Sequence, residues 1–347
     1  MKTYISKTSK DVYDKIKHLD SYSVFWSMEW HNVMRRTYGF CPMMAIGMNG
    51  DVIEACFPYI KVEVVPNVNK IVVFPFSDYC NPYFKNEDAF WELLDMVCEQ
   101  EHSDAIVRLL DTQVLSGSGK VSVIRRAVVH QLDLSGTGEE LWTGLHRKFR
   151  NHTRKAQKAD VEYGKSCGLE DVLEFWELHA ILRKNKFVEF PQPREFFRCI
   201  HDELFTKGKG FLLWAKKDGK MIAGTIFLVD GDTGYYKFSA SNQDYLEHCP
   251  NNGLCWEGIV ELKKRGCKIM DMGLSGLSPA YRGLLMFKDR TGAKRIPLEF
   301  CRYSKFGFDF DPNVIKDIKE FGSELVKGDI SLDQIDLFSS YFYRQFA

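Results

Sequence analysis

The sequence predicts an α+β protein built from two modules of similar design. Three observations carry that expectation. Short β-rich runs and amphipathic helical stripes alternate along the chain. The second half orders them as helix, strand, helix, helix, three strands, helix, strand, helix, strand, and the first half is a shorter version of that order. A length of 347 residues also suits about two domains at roughly 150 residues each.

Each element has a local reason. A helix opens the chain around Asp11–Lys17, and a second fits Met28–Tyr38 behind Ser27 as its cap. Asn49-Gly50-Asp51 turns a hairpin inside MMAIGMNGDVIEACFPYI. KIVVFPF is β-rich, and residues 87–101 place Phe90, Leu93, Leu94, Val97 and Cys98 on one helical stripe. AIVRLL and AVVHQLDL follow as strands. Ser135-Gly136-Thr137-Gly138 is the candidate linker. Beyond it, residues 141–159 form one amphipathic helix with Trp142, Leu145, Phe149, Ala156 and Ala159 inward. Helices near 169–186 and 194–206 precede a meander that turns at Asp218-Gly219 and continues through GYYKFSA. A helix at 253–265 leads to the strand KIMDMG, and Ser278-Pro279 caps a helix through about Arg290. PLEFCRYS is the last strand, and residues 313–345 are mostly helical. The expected divisions are 1–138, 139–310 and a helical segment 311–347.

Composition narrows the class. With 45% apolar and 27% charged residues the chain is an ordinary globular protein, not a disordered or collagen-like one. No apolar run reaches the ~18–20 residues of a membrane span. The N-terminal residues hold no apolar signal core, so a cytoplasmic protein is expected. Ten cysteines form no C-x-x-C and no Cys/His spacing typical of zinc, so a metal site is not expected and most serve as small buried hydrophobes.

Net charge is zero, but residues 1–140 carry 14 Lys/Arg against 19 Asp/Glu while the remainder carries 33 against 28. A basic second half hints at an anionic ligand there. Walker A, G-x-G-x-x-G and G-x-S-x-G motifs are absent, as are H-E-x-x-H and comparable metal-ligand sets.

Three segments could carry chemistry. HRKFRNHTRKAQK (146–158) has six Lys/Arg and no acid. Arg147, Arg150, Arg154 and Lys158 share one helix face, flanked by Lys148 and Lys155. Like charges so stacked cost tenths of a kcal/mol per pair, and either solvation or a phosphate-bearing ligand offsets them. Pro250-Asn251-Asn252-Gly253 opens a helix, where free N–H groups and the dipole favour an anion, although Asn also simply caps helices. In DMGLSGLSPAYRGLLMFKDRTG a strand delivers Asp271 to a glycine-containing loop, and the next helix carries Arg282 and Lys288, with Lys288 on an apolar stripe with Leu284. Such a lysine either snorkels or acts as a desolvated oxyanion stabiliser.

Taken in order, several runs resemble the Fem-type and cellulose-biosynthesis-type branch of the GNAT acyltransferase superfamily. They are SVFWSMEWHNVMRRTYG, FPFSDYCNPYF, FRNHTRKAQKADV, YYKFSASNQDYLEHCPNNGLCWEGIVELKKRGCKIMDMG and GLLMFKDRTGAKRIPLEF. The resemblance implies two tandem GNAT-like modules, each a mixed, mostly antiparallel sheet flanked by helices, with the active cleft mainly in the second. It also implies acyl or aminoacyl transfer to an amine. The Q/R-x-x-G-x-G/A loop that holds the CoA pyrophosphate in ordinary GNAT enzymes is replaced here by SNQDYLEHCPNNG. Counting back from Gly292, Lys288 stands where many GNAT enzymes carry the tyrosine that protonates the leaving thiolate, with Phe287 before it. Fem-type peptidyltransferases share this Phe-Lys pair.

Lys288 and Phe287 are therefore the expected catalytic pair. Arg147, Arg150, Arg154, Lys155, Tyr236, Asn252, Gly253, Asp271 and Arg282 are the expected binding residues. The expected donor is an acyl-CoA, an acyl carrier thioester or an aminoacyl-tRNA, with no tightly bound cofactor. The expected acceptor is a small-molecule or nucleotide-linked amine. The competing function is a non-catalytic protein on the same scaffold that recognises a phosphate-bearing ligand.

Overall fold

The computed structural model describes residues 1–65, 68–110, 121–305 and 313–346. The chain divides into two compact units: Met1–Ala127 with Pro297–Ile318 and Arg344–Ala347, and Val128–Ile296 with Lys319–Tyr343. The first division falls before the Ser135–Gly138 segment. That segment instead starts a helix, because Thr137 and Glu140 form a reciprocal capping box.

The first unit begins with β1 (Lys2–Lys7), α1 (Lys10–Ile16), α2 (Met28–Tyr38), β2 (Met43–Asn49), β3 (Val52–Val65), β4 (Val68–Val73), β5 (Tyr83–Phe84), α3 (Glu87–Glu101) and β6 (Ala105–Leu110). Caps set the helix ends: Ser27 Oγ accepts from Trp30 N at 3.2 Å, and Asn86 Oδ1 from Ala89 N at 2.9 Å. The Asn49–Val52 hairpin sets β2 against β3 antiparallel. The sheet runs β1-β2-β3-β4-β6, with β5 on β3 and β4 parallel to β6 over Ile71–Val73 and Ala105–Val107. Phe90, Leu93, Leu94 and Val97 of α3 pack on Phe57, Tyr59, Ile71 and Val73 of the sheet. Burial of each such side chain stabilises by about 1.5–3 kcal/mol.

β7 (Val121–Asp133) leads into the second unit. There follow α4 (Gly138–Gly144), α5 (Arg147–Lys158), β8 (Glu162–Ser166), α6 (Leu169–Leu182), α7 (Arg194–Glu203), β9 (Gly210–Lys217), β10 (Lys220–Asp230), β11 (Thr233–Ser241), α8 (Pro250–Lys264), β12 (Ile269–Gly276) and α9 (Arg282–Asp289). The strand order is β8-β9-β10-β11-β12-β7. β13 (Lys294–Tyr303) returns to the first unit, where Leu298–Tyr303 pair antiparallel with β6. α10 (Asn313–Lys327) and α11 (Leu332–Phe342) follow, and Ile335 of α11 packs with Phe190 and Val326 in the second unit. Both units thus run strand, two helices, three antiparallel strands, helix, and a strand parallel to the third.

Two sequence expectations change. The single helix over 141–159 breaks at Leu145, whose backbone is extended. Tertiary bonds drive the break: His146 N donates to Arg290 O at 2.9 Å, and the His146 ring caps Lys148 N at 3.2 Å. The helix expected from Gly253 starts at Pro250 instead, behind Cys249 in the left-handed region at φ 55°. α6 closes in a π-helical turn over Arg183–Phe187.

Candidate active site

The second unit's site is built on an interrupted parallel ladder. β11 and β12 pair only from Thr233↔Ile269 to Tyr235↔Asp271, yet run on to Ser241 and Gly276. β11 stays paired with β10 as far as Ser241. The two parallel strands therefore part beyond Tyr235 and Asp271, and their facing edges lose the ladder.

Asp271 anchors the β12 side of this gap. It is buried; its Oδ1 accepts from Gly273 N at 2.7 Å and its Oδ2 from Gln131 Nε2 at 3.0 Å. Gly273 sits at φ 67°, so β12 kinks where the parting begins. Lys288 of α9 is 3% exposed, and its Nζ donates to Gly273 O at 2.9 Å and Leu274 O at 3.2 Å. A buried ammonium needs such acceptors. The expected catalytic lysine is thus an interior cation beside the parted strands. Phe287 packs on Phe149 of α5 at 5.4 Å between ring centroids.

A second charged group adjoins Lys288. Buried His130 of β7 lies 3.1 Å from Asp289 through Nε2, and Asp289 is gripped by Arg295 at 2.8 and 2.6 Å. Burial pushes the His130 pKa down, Asp289 opposes this, and the nearby Lys288 charge adds to it. The Arg295 guanidinium holds the Asp289 carboxyl below its ordinary range, with His130 assisting.

The other expected residues divide into two sets. Tyr236, the first residue of β11 past the last rung, is buried against Phe227, and its hydroxyl donates to Ser239 Oγ at 2.9 Å. Burial pushes its pKa up. Asn252 is buried in the first turn of α8. A Cβ on Gly253 would meet Tyr163 Oη at 2.8 Å, so the Tyr163 ring covers that turn. Asn251 Nδ2 donates to Ser241 Oγ at 3.1 Å and ties the helix start to the end of β11.

α5 brings the basic residues alongside. Arg150 Nη1 donates to Thr143 O at 2.6 Å and Leu145 O at 2.9 Å, clamping the break between α4 and α5. Arg154 is exposed over the Trp142 ring at 5.3 Å, and Trp142 meets Trp256 of α8 edge-on at 4.8 Å. Lys155 is exposed near the start of α8, where its charge opposes the upward push of burial on the Cys249 thiol. Arg147 and Arg282 are exposed. The structure thus gathers Lys288, Phe287 and Asp271 at the strand gap and Asn252, Gly253 and Lys155 at the head of α8. It leaves Arg147 and Arg282 on the surface and uses Arg150 as a clamp.

Two cavities lie nearby. One of about 160 Å³ is lined by Tyr163, Lys165, Leu254 and Glu257 among others. Another of about 210 Å³ is lined by Gln131, Glu140, Thr291 and Lys294 among others. Both are smaller than the ~300–1,000 Å³ typical of sites that enclose a small-molecule ligand.

A parallel pair that parts after three rungs, with a helix starting from the strand end, gives a topological basis for comparison. Residues 145–281 match the family model of the GNAT acetyltransferase domain. That stretch lies within the second unit. The crystal structure of FemX shares the fold at a TM-score of 0.67 and 15% identity, covering 88% of this chain and 98% of that one. A tandem GNAT protein from the clavulanic acid biosynthesis pathway gives 0.57 and 10%, covering 88% and 100%. L-PGS from Bacillus licheniformis gives 0.57 and 11%, covering 93% and 98%. At these identities the likeness is one of fold. No curated protein matches the chain. The expected α+β architecture of two GNAT-like modules holds.

Sequence reasoning missed Gln131, His130, Asp289 and Tyr163 as neighbours of the candidate site. His130 and Asp289 stand 159 residues apart, and Gln131 and Asp271 stand 140 apart. No local spacing signals such pairs. Gly273, at the end of the strand KIMDMG, had one usable signal: a glycine inside a strand run marks a bulge or close approach.

Proposed function

We propose that the GNAT domain transfers an acyl or aminoacyl group from a thioester or ester donor to an amine. The observation that carries this reading is the buried Lys288 ammonium at the parted strands, 2.9 Å from Gly273 O. The amine nitrogen attacks the donor carbonyl carbon and a C–N bond forms. Charge collects on the carbonyl oxygen of the tetrahedral intermediate, and a preorganised cation in a dry setting stabilises it. Loss of one such donor costs about 3–4 kcal/mol of barrier. The C–S or C–O bond then breaks, and the amine's proton ends on the departing thiolate or alkoxide.

The donor is read from the head of α8 and from α5. Lys155 and the dipole at the start of α8 favour an anionic donor. The glycine-rich pyrophosphate loop is absent, and Tyr163 covers Gly253. This favours an aminoacyl-tRNA or a carrier-borne acyl group over conventional acetyl-CoA binding. The acceptor is a small or nucleotide-linked amine.

The test offers the protein acyl-CoA and aminoacyl-tRNA with a panel of amines and reads amide products by mass spectrometry. Wild type forms product, and Lys288→Met loses about 100-fold or more of the rate while remaining folded. Equal product from folded Lys288→Met removes the residue from the mechanism. A second reading, a non-catalytic phosphate-binding protein, rests on Lys288 already bonding two carbonyls. No product with any donor, together with salt-sensitive tRNA binding, favours it.

A further inference from the structure

An apolar surface lies next to the site. Among the described residues, thirteen large hydrophobic side chains are exposed, and four fall within ten residues: Leu277 at 51%, Tyr281 at 39%, Leu284 at 40% and Met286 at 37%. Scattered exposed leucines are ordinary, but four large apolar side chains exposed within one ten-residue segment are not. All eight residues from Leu277 to Leu284 are exposed, Pro279 and Ala280 included, and Arg282 is the only charge in the run. The segment from Met272 to Phe287 contains no acid.

Basic groups flank this surface. The first turn of α5 lies against the end of α9, through Phe149 on Phe287 and His146 N on Arg290 O at 2.9 Å. That turn exposes Arg147 and Lys148. Asp289, the nearest acid along the chain, is ion-paired with Arg295 and lies 3.1 Å from His130. Exposed apolar side chains edged by unopposed cations complement a surface with anionic head groups over an apolar interior. The core of a protein interface is instead built around buried aromatic anchors.

We propose that the Leu277–Met286 segment, with Arg282, Arg147 and Lys148 beside it, docks this protein on an anionic lipid bilayer. Leu277, Tyr281 and Leu284 enter the head-group boundary, and the cations meet lipid phosphates. Attachment is interfacial, since no described helix is long and apolar enough to cross a membrane. Leu284 lies one turn before Lys288 on the same helix face, so docking brings the lipid surface to the mouth of the strand gap. The inference stands independently of the acyl-transfer reading.

Co-sedimentation of the full chain with large unilamellar vesicles tests it. Binding is expected to phosphatidylcholine–phosphatidylglycerol vesicles, weaker to phosphatidylcholine alone, and reduced by salt. Leu277→Asp with Leu284→Asp lowers the partition coefficient about tenfold or more. Lys148→Glu with Arg282→Glu abolishes the preference for phosphatidylglycerol. Leu337→Asp, at another exposed apolar site, leaves binding unchanged. Absence of wild-type binding to either vesicle overturns the proposal, as does equal binding by the Leu277/Leu284 variant with native circular dichroism. A dimer that the same variant dissolves, without vesicle binding, assigns the face to a second copy and also overturns it.

Discussion

Lys288 and Gly273 form the joint of the second unit: a buried ammonium donates at 2.9 Å to the carbonyl of a glycine held at φ 67°. Lys288→Met keeps the stem and removes the cation, so the Gly273 and Leu274 carbonyls each lose the bond it donates. We expect a loss of about 1–3 kcal/mol, read as a lower urea midpoint. No change in midpoint would mean that solvent supplies those carbonyls.

Gly273→Ala probes the backbone half of the joint. An L side chain at this φ costs roughly 1–2 kcal/mol. The kink also presents Gly273 N to Asp271 at 2.7 Å, so relaxation toward ordinary strand geometry breaks that bond. Chemical denaturation should show the loss; a neutral alanine would argue that β12 tolerates a straighter path.

Gly258→Ala separates two opposing effects within α8. Alanine gains up to about 1 kcal/mol of helix propensity over glycine. Here its Cβ would sit inside the van der Waals envelope of the Phe227 ring, which is fully buried. Overpacking of this kind costs about 1–3 kcal/mol, so net destabilisation is expected. A higher melting temperature in the variant contradicts it.

Two interior histidines set an acid-side slope. Burial holds His31, stacked on Phe74, and His179, 3.0 Å from Gln192, at pKa values of about 3. Unfolded histidine titrates near 6.5, so below that pH the unfolded chain binds more protons. Stability therefore falls as pH drops from about 6.5 toward 3, by about 1.4 kcal/mol per pH unit for each histidine well inside that window. Urea titrations at stepped pH, kept above about 5 so that carboxylates stay ionised, should show the slope. His179→Phe should reduce it, and a flat wild-type profile contradicts the prediction.

Legibility followed locality. Ser27 and Asn86 cap the helices they precede, and the Asn49 and Asp218 turns join the strands around them, because a few adjacent residues determine each feature. The break at Leu145 was invisible because its cause, Arg290 O, lies far along the chain. Lys288 could be singled out as a lysine on an apolar stripe. Its carbonyl partners could not be, since they depend on the path of β12. Arg150 fits the basic stripe in sequence, yet its guanidinium serves the α4–α5 turn. Periodicity gives the face of a helix, not what the neighbouring chain does with it.

The parallel pair of the first unit behaves differently from that of the second. β4 and β6 also join over three residues, but β4 ends at Val73, and Phe74 turns into the interior to stack on His31 at 4.3 Å. Tyr13 closes over the same imidazole through its hydroxyl. Any guest at that corner would first have to evict an aromatic plug, whereas at the corresponding corner of the later repeat both strands run on past the last rung and a lysine ammonium reaches the β12 carbonyls.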